Sequence, residues 1–165
     1  MDEIAIFMME QFISSVVPTD PTALELYQWL KKFKWIDNDF GQLEFYELKP
    51  AVAFPCALIS VEIEKTVDQG EDIQLCYARA GIRMAWDYTG RTSANTPAVI
   101  RQQSNEHYKL INAVYQTFQG KIGNGETIKN FKFSRRSSIR EKRPDGLTVI
   151  DQSFNTTFLD RTARK

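Results

Sequence analysis

Apolar side chains recur every three or four residues in some stretches of the chain and every second residue in others. Residues 2–16 place Ile4, Phe7, Met8, Phe12 and Val16 on one stripe, the spacing of an amphipathic helix. Pro18 ends it. Thr19-Asp20-Pro21 then offers a cap for a second helix over about 20–34, with Leu24, Tyr27 and Leu30 on one side. Asp37-Asn38-Asp39-Phe40-Gly41 reads as a loop. Residues 54–66 predict a strand whose end alternates Val61 and Ile63 with Glu62 and Glu64. Residues 72–88 predict a second, with Cys76, Ala78, Ala80, Ile82, Met84 and Trp86 on one face and Tyr77, Arg79 and Arg83 on the other. Gln74 falls out of phase, which suggests a bulge or a late start. A turn-rich connection leads to a helix over about 97–118. Its stripe is Tyr108, Ile111, Val114, Tyr115 and Phe118, and Gly120 provides the stop. A last hairpin, 131–141 and 147–159, turns at Pro144-Asp145-Gly146. The expected fold is α+β: a central, mostly antiparallel or mixed sheet of two hairpins, with helices packed on one face. Trp86, Ile82 and Met84 belong in its core under helix 97–118, while Arg79 and Arg83 face out.

The chain has 165 residues, 42% of them hydrophobic and 25% charged. That suits a single domain over 1–165, with 1–17 as an N-terminal helical extension and 161–165 as a polar tail. No apolar run reaches membrane-span length, and the acidic start Met1-Asp2-Glu3 lacks the basic region of a secretory signal. The expected site of synthesis and folding is the cytoplasm. Cys56 and Cys76, with His107 as the one histidine, are too few for a Cys/His zinc site. A hairpin turning at Asp68-Gln69-Gly70 sets Cys76 opposite about Val61. Cys56 then lies roughly 16 Å further along, beyond disulfide reach.

Charge changes the picture. The net is zero, yet residues 1–72 carry 14 acidic and 5 basic side chains, and residues 73–165 carry 7 and 16. Such blocks can neutralise each other within the fold, or form complementary faces that favour assembly. Catalytic chemistry has little to build on. His107 has no Gly-x-Ser-x-Gly elbow beside it, so a structural histidine is the simpler reading. Glu62 and Glu64 could make an acid/base or metal pair, but a solvated strand face explains them as well. Asp37-Asn38-Asp39 lacks the rest of a calcium loop, and Gly120–Gly125 lacks the Gly-Lys-Ser/Thr ending of a phosphate-binding loop. No catalytic residue, metal ligand or cofactor is expected.

The most distinctive feature is the basic stretch Lys129, Lys132, Arg135, Arg136, Arg140, Lys142 and Arg143, with Glu141 as its one acid and Phe131 and Phe133 interleaved. One reading is a nucleic-acid-binding module, with phosphate contacts and base stacking along a 129–143 ribbon. The other is a subunit interface formed by Lys132, Arg135, Arg136, Arg140, Lys142 and Arg143 with acids such as Glu62 and Glu64. The neutral chain favours the second.

A wider pattern runs from Asn38–Glu44 through Phe54–Ile59 to His107-Tyr108 and Val114–Gly120. It continues with Arg135–Glu141, Asp145-Gly146-Leu147 and Thr156–Asp160. This order resembles the tail terminator, or tail completion, proteins of long-tailed phages and prophages, over most of residues 20–160. The resemblance implies a non-enzymatic structural subunit. It forms a homo-oligomeric ring, usually a hexamer, that caps the tail tube and joins tail to head. The implied partners are copies of itself, the tail tube protein and a head-completion or connector protein. Neither a membrane nor direct nucleic-acid binding is expected. The protein would assemble in the host cytoplasm and reside in the virion tail.

Overall fold

The computed structural model describes residues 2–44, 52–70, 73–87, 95, 97–128 and 130–161. Among these, the helices are α1 (Asp2–Ile13), α2 (Pro21–Leu30), α3 (Ala98–Ser104) and α4 (Glu106–Phe118). The strands are β1 (Trp35–Asn38), β2 (Cys56–Gly70), β3 (Ile73–Trp86), β4 (Ile122–Gly123), β5 (Phe131–Lys132), β6 (Ser134–Glu141) and β7 (Thr148–Asp160). The fold is α+β. A five-stranded sheet runs in the order β1-β2-β3-β7-β6, parallel between β1 and β2 and antiparallel elsewhere. Strands β4 and β5 form a separate two-stranded sheet.

One face of the large sheet carries the main core. Ala78, Ala80, Ile82 and Met84 of β3 meet Ile4, Met8 and Phe12 of α1 and Leu110, Val114 and Phe118 of α4, all buried. Burial at this density supplies most of the stability of such a domain. Near the start of β2 the opposite face is also covered. Leu43 and Val52 close over Cys56, Leu58, Ala85 and Val149. Cys56 and Cys76 therefore lie on different faces, and both thiols are free and buried. Burial pushes the Cys56 thiol up to about 11, far from a reactive thiolate.

Several expectations need correction. Asp37 and Asn38 are in β1 rather than a loop, because Trp35–Asn38 pair in parallel with Cys56–Ile59. The first hairpin is longer than its Asp68-Gln69-Gly70 signal implied. Gly70 still pairs, with Ile73, and Cys76 faces Thr66 rather than Val61. Residues 71–72 lie outside the described residues. Strand β3 runs without interruption against β7 from Gln74 to Trp86, so Gln74 marks no bulge in its own strand. The register shifts are in β2, between Ile63 and Lys65 and between Asp68 and Gly70. The first helix ends at Ile13, leaving Val16 exposed. The expected helix 97–118 breaks at Asn105 into α3 and α4. The buried stripe of α4 is Leu110, Ala113, Val114 and Phe118, while Tyr108 is 54% exposed.

Two local devices set the lower end of the molecule. Gly120 takes φ +75° beyond α4 and donates its N–H to the Phe133 carbonyl, turning the chain toward β4. The Glu3 carboxylate of α1 accepts hydrogen bonds from the Thr127 and Ile128 N–H groups and the Thr127 hydroxyl. These bonds, that of the hydroxyl first, hold the Glu3 carboxyl below the usual carboxylate range. A Cβ on Gly125 would sit 1.9 Å from that carboxylate, so only glycine permits the approach.

Candidate functional site

The acidic half of the chain and the basic half meet first within the subunit. Glu62 faces Arg79 across β2 and β3, and their side chains pair at 2.8 Å. Glu64, the residue skipped by the register shift in β2, pairs with Arg136, the residue skipped by the shift in β6. Glu62 and Glu64 thus each hold a separate arginine and form no acid/base dyad. Exposed pairs of this kind contribute about 0.2–1 kcal/mol each.

Arg83 is on the face opposite the main core, as its strand position requires, but it does not face solvent. Its side chain is 15% exposed and binds Asp39 at 3.0 Å, Glu44 at 2.8 Å and Glu141 at 2.9 Å. The segment 39–44 folds over it, anchored by the fully buried Leu43. Burial disfavours the Arg83 charge, yet the bonds to Glu141 and Asp39 outweigh it and push the guanidinium pKa up. Arg143, grouped with the basic ribbon by sequence, joins the same cluster. It binds Asp145, Glu141 and the Leu43 carbonyl, and its side chain is 12% exposed. Asp151 lies opposite Arg83 across β3 and β7. Its Oδ1 is buried without a hydrogen-bond partner, and burial pushes its pKa up. The cluster ties segment 39–44, β3 and the turn between β6 and β7 into one block. Its arginines pair with its carboxylates, the arrangement of a structural clasp.

The remaining cations lie along β5, β6 and the turn that follows. Lys132, Arg135, Arg136, Arg140 and Lys142 are exposed. Arg135 stacks over Tyr115 at 4.0 Å, and its backbone N–H donates to Gln119. Lys132, Arg140 and Lys142 have no ion-pair partner among the described residues. Lys129 lies outside the described residues. Phe131 and Phe133 are fully buried. They point into the core, so they offer no ring to a nucleic-acid base. The predicted single strand 131–141 divides at Phe133, where pairing passes from β4 to β7. Half-buried His107 rests against Trp86 and Tyr108, with ring centroids 5.8 and 4.0 Å apart. Among the described residues, no group of three or more His, Cys, Asp or Glu side chains is arranged to hold a metal ion.

The fold has a counterpart in a gene transfer agent virion. The chain superposes on one from a solved structure, "Virion of native gene transfer agent (GTA) particle", with a TM-score of 0.55 over 96% of each chain. Only 10% of the residues are identical, so the likeness is one of fold. No family model and no curated protein matches the chain.

One feature of the acidic half escaped the sequence reading. Residues 1–30 contain no Lys, Arg or His. Among the described residues, Asp2, Glu10, Asp20 and Glu25 have no ion-pair partner. The signal was the complete absence of cations from α1 and α2, masked by a sum taken over 72 residues.

Proposed function

We propose that the chain is a structural subunit of a phage-like particle, acting as a tail terminator or tail completion protein. Copies form a ring that caps the tail tube and joins tail to head. The ring assembles in the host cytoplasm and remains in the virion tail. The observation that carries this reading is the fold likeness, over nearly the whole of both chains, to a component of a gene transfer agent virion. The makeup of the surface supports it. Among the described residues, its polar side chains form clasps, ion pairs and a cationic edge, with no constellation suited to bond making or breaking. Lys132, Arg140 and Lys142, exposed and without an ion-pair partner among the described residues, supply charge for such an assembly edge.

The test is direct. The purified protein, examined by light scattering and negative-stain electron microscopy, is expected to form closed rings. Added to polymerising tail tubes, it is expected to bind one end and stop growth. A protein that never associates with tube ends would refute the reading. The rival, a nucleic-acid-binding module on the 129–143 ribbon, predicts a steep loss of DNA affinity with added salt.

A further inference from the structure

We propose that the outer face of α1 docks against α1 of a second copy, the two helices lying antiparallel across a two-fold axis. Helix α1 is apolar on opposite sides. Ile4, Met8 and Phe12 are buried in the main core. On the other side Ile6 is 54% exposed and Ile13 is 61% exposed. They stand seven residues apart, two helical turns, and so share one face. Half-buried Met9 lies between them in sequence, and Val17, just past the helix, is 58% exposed. A helix with apolar residues on opposite faces needs cover on both, and aliphatic surface gathered along a stripe marks a contact site. The stripe precedes residue 20, outside the span of the tail terminator resemblance, so the contact goes beyond that reading.

The stripe is its own complement. Ile6 and Ile13 are placed evenly about the midpoint between Met9 and Glu10. Two α1 helices running antiparallel about that point set Ile6 of each against Ile13 of the other. An isologous contact needs that symmetry, because the same patch meets itself. The driving force is burial of apolar surface, which requires no charge pairing. Asp2 and Glu10 are the exposed acids of α1, and residues 1–30 contain no Lys, Arg or His. That composition argues against a lipid occupant, since a helix lying in a membrane surface carries Lys and Arg on its polar face to meet anionic lipid. The patch is much smaller than the roughly 20–30 residues a side of a standard interface, so the pair is weak and reversible. A two-fold contact closes on itself. It therefore adds to a ring contact and does not replace one.

Cysteine crosslinking in the full-length protein tests the register. Cys56 and Cys76 are buried, so an introduced surface thiol is the one that reacts. An equimolar mixture of Ile6→Cys and Ile13→Cys is expected to form a disulfide-linked pair on mild oxidation, because the two positions face each other across the axis. Neither variant alone is expected to do so, since like positions lie about 10 Å apart along the helices. Ile6→Gln with Ile13→Gln is expected to weaken pairing about tenfold or more in sedimentation equilibrium, where a two-fold contact doubles the mass of the species that carries it. Circular dichroism verifies folding, and Ile6→Ala with Ile13→Ala replaces a glutamine variant that fails to fold. Added salt is expected to leave pairing intact or strengthen it, because it screens the acids of the two helices. A native chain that does not pair, a mixture that crosslinks no better than either variant alone, or a glutamine variant that pairs like the native chain overturns the proposal. So does a native chain that floats with phosphatidylcholine vesicles through the stripe and does not pair, which gives the stripe to a membrane. If pairing fails while rings still cap tube ends, the tail reading stands without it. Crosslinked pairs in a chain that ignores tube ends do the opposite.

Discussion

Phe133 joins the two sheets, and truncating it tests how the basic ribbon is built. Its ring is fully buried and lies 5.7 Å from Phe131, 5.8 Å from Phe118, 6.1 Å from Phe7 and 6.3 Å from Phe154. Removing a buried phenylalanine costs about 3–5 kcal/mol. Four aromatic neighbours on several elements limit how far the site can collapse, which places Phe133→Ala at about 4 kcal/mol. Against a total stability of about 5–15 kcal/mol, that is a large fraction. With a urea slope of about 2 kcal/mol/M, the midpoint should fall by about 2 M at unchanged slope. Phe133→Leu keeps most of the volume and should cost about 1–1.5 kcal/mol. The measurement is urea denaturation of the full-length variants followed by tryptophan fluorescence. A shift of Phe133→Ala below about 0.5 M at unchanged slope would show that the ring is not the hub of this core. If the folded variant instead lost affinity for single-stranded DNA with little change in stability, the phenylalanine would be a stacking platform and the buried assignment would fail.

Other perturbations separate the structural roles. Leu110→Ala should cost about 2–5 kcal/mol and Tyr108→Ala less than about 0.5 kcal/mol in thermal unfolding; the reverse order would mean that α4 presents its other face. Glu3→Gln should speed amide exchange at Thr127 and Ile128. Because the folded-state Glu3 carboxyl titrates below its unfolded value, its contribution is present above the unfolded pKa and lost as pH falls through the folded one. The acid limb of the stability profile should therefore flatten in Glu3→Gln, and an unchanged limb would contradict the clasp. Asp151 has the opposite sign. Its raised pKa means that stability falls as pH rises through the folded value, so Asp151→Asn should remove that slope in chemical denaturation series run at several pH values. Arg83→Met leaves Asp39, Glu44 and Glu141 without their shared cation and should cost about 3 kcal/mol; a neutral result in denaturant titration would show that segment 39–44 is held by Leu43 alone.

Elements whose side chains face one environment along their whole length were legible from residue order. The periodicities of β3 and β7 mark long strands because alternate residues are buried for most of their length. Gly120 announced the end of α4 for a local steric reason. The chemistry of the surface was legible in part, since the basic stretch at 129–143 stands out in composition alone. Periodicity misled where a residue's neighbours come from distant chain. Trp35–Asn38 form a strand because β2 lies alongside in parallel, and four residues carry no pattern that announces a parallel partner. In α4, Tyr108 and Leu110 both fit an apolar stripe. The packing of α2 and the sheet around the helix selected Leu110. The same holds for charge. Residue order exposed the imbalance between the halves, but cross-strand register and two bulges assigned Glu62 to Arg79 and Glu64 to Arg136. Which charges remain for a partner depends on distances between residues far apart in the chain, and those distances exist only once the sheet has formed.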